Sequence, residues 1–146
     1  MKIFSPSLLI FAAAAAFAFQ APEPFRAADL VDSAAFAAKM KSSKPPLILQ
    51  VGFQALYKGA RIPGAQYAGP GNSPEGLANL EKVVAGVPKD RDILIYCGCC
   101  PWEKCPNIRP AYKQLRDMGF TRITVLKVPT NLHTDWVEKG LPVDKT

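Results

Sequence analysis

The fold is decided by residues 92–118. They read Asp92-Ile93-Leu94-Ile95-Tyr96, then Cys97-Gly98-Cys99-Cys100-Pro101-Trp102-Glu103-Lys104-Cys105-Pro106-Asn107, then Ile108 to Met118. The opening run is short and apolar, as a buried strand is, and the closing run has the apolar spacing of a helix. The middle holds all four cysteines of the chain and is therefore a strand-to-helix loop. The first N–H groups of a helix lack intrahelical acceptors and carry the positive end of the macrodipole, so they stabilise an anion placed before them. A thiolate is such an anion. Cys97, at the end of the strand, is expected to titrate below the roughly 8.5 of a free thiol and to act as a nucleophile near neutral pH.

Working outward, Phe25 to Val31 reads as a short first strand, and Asp32 or Ser33 caps a helix running to about Lys41. Leu47 to Val51 is a buried strand ended by Gly52. The block from Phe53 to Gly71 is rich in Gly, Ala and aromatics and reads as turns, with Arg61-Ile62-Pro63-Gly64-Ala65 leading into a brief strand at Gln66-Tyr67-Ala68. Ser73 caps a second helix with Pro74 at its first position, and Leu77, Leu80, Val83 and Val84 form its buried stripe. Asn107 caps the helix after the cysteines, Pro110 falls in its first turn, and Gly119 stops it. Ile123 to Val128 is the last strand, and Thr134 to Lys139 a short helix with Trp136 inward. Strands alternating with helices predict an α/β fold, a parallel sheet covered on both faces that binds ligands beyond the carboxyl ends of its strands. The cysteine loop lies at such an end.

The 146 residues, 49% hydrophobic and 21% charged, suit one globular domain with a real core. A net charge of +6 favours an anionic substrate, but Lys and Arg are scattered and form no long run, so no nucleic-acid partner is expected. Met1-Lys2-Ile3-Phe4, the apolar stretch Leu8 to Phe19 and the small residues around Ala16-Phe17-Ala18 read as a secretory signal peptide. The expected organisation is a signal peptide at 1–18, a linker at 19–24 and a domain at 25–146, with a periplasmic or secreted product and no membrane contact after cleavage. The rival reading is an uncleaved anchor, since the stretch is near the lower limit for a span. In an oxidising compartment four cysteines usually mean structural disulfides. Here they would cross-link a single loop, where chain-entropy stabilisation is smallest, so redox chemistry, sulfur transfer or a soft metal suits them better.

The order of marks from residue 25 onward resembles the rhodanese-like sulfurtransferase family. Arg61-Ile62-Pro63-Gly64-Ala65 is similar to its His-Ile-Pro-Gly-Ala turn, and Leu94-Ile95-Tyr96-Cys97 to the strand that ends in its catalytic cysteine. Ala111 to Phe120 resembles its helix ending in Leu-x-x-Leu-Gly-Phe, and Trp136 with Gly140-Leu141-Pro142-Val143 its Trp-x-x-x-Gly-x-Pro-Val. The resemblance implies a central parallel sheet of about five strands flanked by helices. It also implies a reaction: a cysteine thiolate takes sulfane sulfur from thiosulfate or a persulfide, holds it as a persulfide, and hands it to cyanide or a thiol. Cys97 is the position that matches.

The chain departs from the family at three places. Nine residues separate Cys97 from Asn107, a longer loop than usual. The strand that normally ends in Asp-Val-Arg reads Gln50-Val51-Gly52, and the His of the Ile-Pro-Gly turn is Arg61. The phosphatase and arsenate-reductase relatives need an Arg six residues after the cysteine to bind an oxyanion bidentately. Glu103 stands there, which excludes that chemistry. Within the loop, Cys99, Cys100 or Cys105 can attack a persulfide or oxidised Cys97, because so short a segment holds thiols within bonding reach. The expected catalytic residues are thus Cys97, Cys99, Cys100 and Cys105. Gly98, Trp102, Arg61 and Arg109 are the expected substrate-binding residues, the two arginines to hold an anionic donor and Trp102 to shield the thiols or meet a redox partner protein. No cofactor is expected on this reading. The alternatives are a soft metal, Cu(I), zinc or an iron–sulfur cluster, held by Cys97, Cys99, Cys100 and Cys105, or a catalytically inactive partner-binding module.

Overall fold

The computed structural model describes residues 24–145; the expected signal peptide and all of the linker but Pro24 lie outside the described residues. The elements are β1 (Leu30–Asp32), α1 (Ser33–Lys39), β2 (Leu47–Gln50), α2 (Gln54–Gly59), β3 (Gln66–Tyr67), α3 (Pro74–Val83), β4 (Ile93–Tyr96), α4 (Ile108–Asp117) and β5 (Ile123–Lys127). The strands form one sheet in the order β1-β5-β4-β2-β3, every pair parallel. The alternating pattern predicted this architecture, because parallel neighbours need crossovers and the helices supply them.

The period of two along each strand sorts the core into two layers. Leu49, Val51, Ile93, Ile95, Ile123 and Val125 face α3 and α4, where Leu80, Ile108, Ala111 and Leu115 complete a buried cluster. Ile48, Leu94, Tyr96, Leu126 and Val128 face the other way, against Phe36 of α1 and the fully buried Trp136. Cys97 continues the first register and is buried on the α4 side. Ser73 caps α3 as expected, its Oγ accepting from the Gly76 N–H at 3.0 Å.

Four local readings change. The first strand is shorter, because Ala27–Asp29 forms a 3₁₀ turn closed by the Asp29 carboxylate accepting the Arg26 N–H at 2.9 Å. Asp32 flanks α1 without a side-chain cap and meets Lys127 at 3.0 Å instead. Gln54–Gly59, expected as turns, is helical. Its Gln, Ala, Leu and Lys are good helix formers, and Tyr57 anchors it through a hydroxyl donated to Ala65 O at 2.9 Å and a ring contact with Tyr67. The last short helix is a π turn, His133–Val137, with Trp136 Nε1 donating to Pro142 O at 2.7 Å. No helix among the described residues is long and apolar enough to cross a membrane.

Asp29 fastens the start of the domain to α4. It is buried and accepts from Arg26 Nη2 and from the Tyr112 hydroxyl, each at 2.9 Å. The Arg26 side chain, then its N–H and the Tyr112 hydroxyl, outweigh burial and hold this carboxyl down at about 2, below the roughly 3.9 of an unfolded Asp. A depressed folded pKa contributes stability that is whole above the unfolded value and lost as pH falls from about 5 to about 2. Asp29→Asn should lower unfolding stability at pH 7 by about 1–2 kcal/mol, and the gap from the parent should close by pH 2. Urea denaturation at the two pH values measures both.

Candidate functional site

The site is built where β4 ends. Gln50 of β2 pairs with Tyr96 in the sheet, so the first residues past both strands meet. Gln50 is buried and its Nε2 donates to the Cys97 carbonyl at 2.9 Å. That bond orients the amide, leaving Gln50 Oε1 without a hydrogen-bond partner. At Gly52 a Cβ would stand 2.8 Å from each of Cys97 O, Cys97 Sγ and Gln50 Nε2. Only glycine leaves room for the cysteine at that approach.

Gly98 turns the chain out of the strand at φ +88°, a left-handed conformation, with Leu132 packed where a Cβ would point. The loop is then pinned to the segment after β5, since Leu132 N donates to Gly98 O at 3.1 Å and Trp102 N to Val128 O at 3.0 Å. These anchors fold the sulfurs together. Cys97 Sγ lies 3.1 Å from Cys99 Sγ, which lies 3.0 Å from Cys100 Sγ. The sulfurs of Cys97, Cys99 and Cys105 are all within 4.8 Å of one another. All four residues are thiols, Cys97 and Cys105 buried and the other two half-buried.

The helix N-terminus acts on a different cysteine. Because the loop is long, Cys105 is the thiol seated before α4. A hydrogen bond from the Cys97 thiol, then the backbone N–H groups of Asn107 and Ile108, lower it to about 5. The same bond, with burial, raises Cys97. Burial first, and thiol contacts next, push Cys100 up to about 12. Of the two, Cys105 is thus the thiol drawn down and Cys97 the one raised, against the expectation for Cys97. Asn107 does not cap the helix with its side chain. Its Nδ2 donates to Cys97 Sγ at 3.2 Å, while its Oδ1 accepts from Asn72 N at 3.2 Å.

Cys97, Gly98 and Cys99 line an open cavity of about 730 Å³ together with Gln50 and Tyr96. The other expected site residues stand elsewhere. Cys105 and Cys100 are off the cavity lining. Trp102 packs on Phe25 with ring centroids 5.8 Å apart and lines a shallow surface pocket with Glu103 and Lys127. Arg61 lies over the Tyr57 ring and its backbone pairs with Asp144, and Arg109 lies over Phe25. Asn107, Gln50 and Gly52 are site residues that sequence reasoning did not single out. The one available signal was the replacement of Asp-Val-Arg by Gln50-Val51-Gly52.

Gly52→Ala should wedge Gln50 away from Cys97, destabilise the domain by about 1–3 kcal/mol through overpacking, and raise Cys97 alkylation by iodoacetamide. Thermal unfolding and mass-mapped labelling report the two effects.

The sequence matches no family model and no curated protein. Solved structures do match. The rhodanese-like domain of Alr3790 from Anabaena sp. is 21% identical over 81% of this chain and 80% of that one, with a TM-score of 0.58. BH2092 from Bacillus halodurans is 23% identical over 80% and 76%, with a TM-score of 0.61. A variant of EanB in complex with hercynine is 21% identical over 80% of this chain and 27% of that one, with a TM-score of 0.59. The five-stranded parallel sheet with its flanking helices agrees with this likeness, and the chain has the rhodanese-like fold, carrying a cysteine cluster in the loop between β4 and α4.

Proposed function

We propose that the protein is an exported sulfurtransferase or persulfide carrier in which Cys97 receives the sulfur. The observation that carries this reading is the position of Cys97 at the carboxyl end of β4, lining a cavity on one side and backed by a thiol cluster on the other. Cys97 sulfur attacks the sulfane sulfur of a donor. The donor's S–S bond breaks, its leaving group departs with the bonding pair, and the Cys97 proton passes to the Cys105 thiolate. The outer sulfur of the resulting persulfide is then taken by an acceptor thiolate or cyanide, which returns Cys97 as a thiolate. Cys99, with its sulfur 3.1 Å away, offers a second exit: its thiolate attacks the inner sulfur, expels hydrosulfide and leaves a Cys97–Cys99 disulfide for a dithiol partner protein to reduce. The Asn107 amide donating to Cys97 Sγ favours the anionic forms.

Export rests on the sequence of Met1 to Ala18, and a mature chain beginning at Phe19 is its expected sign. A second reading has one observation in its favour: three sulfurs within 4.8 Å suit a soft metal such as Cu(I).

Intact mass and metal analysis of reduced, anaerobically purified protein, before and after thiosulfate, inorganic polysulfide and an organic thiosulfonate, separates the two. Sulfur transfer predicts one added sulfur on Cys97, none in Cys97→Ser, and loading slowed on the order of a hundredfold in Cys105→Ser, as removal of a general base does. Stoichiometric metal without sulfur uptake would replace this reading by the soft-metal one, and undiminished uptake by Cys97→Ser would assign the wrong nucleophile.

A further inference from the structure

The cavity that reaches Cys97 has the wrong lining for a small dianion. It is walled by Phe53, Ala55, Leu56, Ala60, Leu132 and Val137, and no Lys or Arg is among its lining residues. Arg61 and Arg109, expected to hold an anionic donor, lie over the rings of Tyr57 and Phe25 and outside that lining. The titratable residues on it besides the cysteines are Tyr96, whose hydroxyl accepts from the Ile62 N–H at 3.3 Å, and His133, which is exposed and paired with Glu138 at 3.3 Å. Moving a dianion into such surroundings costs far more than apolar contact returns.

The same lining suits an apolar body. Among the described residues, Phe53 at 51% and Leu56 at 39% are the large hydrophobic side chains left exposed, and both border this cavity. Exposed apolar surface gathered at one place marks a binding site. A volume of about 730 Å³ is that of a pocket for an organic molecule of many atoms, many times the bulk of thiosulfate.

Resting on the sulfur-transfer reading above, we infer that Cys97 takes its sulfur from a small organic sulfane compound with an apolar body, such as an aryl or branched-alkyl persulfide or thiosulfonate, and not from thiosulfate. The body lies on Phe53, Leu56 and Leu132 and presents its sulfane sulfur to Cys97. With benzenethiosulfonate the step balances as Cys97 thiol, Cys105 thiolate and donor going to Cys97 persulfide anion, Cys105 thiol and benzenesulfinate.

The test is single-turnover loading of the reduced full chain with benzenethiosulfonate, methanethiosulfonate and thiosulfate, followed by intact mass, each rate divided by that of the same donor with free cysteine. The expected order is benzene over methane over thiosulfate, the first step at least about tenfold, as burial of a ring gives. Leu56→Lys, on an exposed position, should narrow the ratio of benzenethiosulfonate to thiosulfate by raising thiosulfate loading, whereas simple structural damage would slow both alike. Equal normalised rates, or thiosulfate fastest, would overturn the inference while leaving sulfur transfer intact, and equal slow rates would point to a protein-borne persulfide docking on Phe53 and Leu56. No loading from any donor would overturn both readings.

Discussion

One amide holds the site together. Asn107 stands at the junction of the cysteine loop and α4, fully buried, with its Nδ2 on Cys97 Sγ and its Oδ1 on the Asn72 N–H. It joins three segments distant in sequence: the end of β4, the start of α4 and the turn before α3. Gly71 makes this approach feasible, because a Cβ there would come within van der Waals overlap of the Asn107 carbonyl. A buried amide left without partners would be costly, so this arrangement and the position of the sulfur stand or fall together.

The length of the loop then sets the electrostatics. A shorter connection would place the strand-terminal cysteine directly before the helix. Here the chain runs out past Trp102, which packs on Phe25, and returns through the buried Cys105. The helix N–H groups consequently act on Cys105, and Cys97 shares its proton with it. A nucleophile with its base attached by a hydrogen bond is a common way to activate a group that does not ionise readily by itself. It also separates roles in space, since Cys97 meets the cavity and Cys105 does not.

Around Cys97, Gln50 props the carbonyl and Gly52 leaves the space the sulfur occupies. What faces the cavity is mostly hydrocarbon, from the exposed edge of α2 and the segment after β5. The helix α2 fully buries none of its residues; Ala55 and Leu56 line the cavity while Tyr57 packs against the core.

The sequence by itself determined the parallel sheet, the helices α1, α3 and α4, and the place of the cysteine loop. Those follow from local periodicity and from caps and stops such as Ser73 and Gly119, which act over a few residues. It did not reveal α2, where the Gly and aromatic content of the block hid four good helix formers among six residues. Nor did it separate Cys97 from Cys105, because which thiol faces the helix N–H groups depends on how the loop is pinned to Val128 and Leu132. Arg61 and Arg109 read as candidate anion holders, and the structure lays each over an aromatic ring. The tertiary structure decided these placements, since loop anchoring and cavity lining depend on side chains from several segments that local sequence patterns do not bring together.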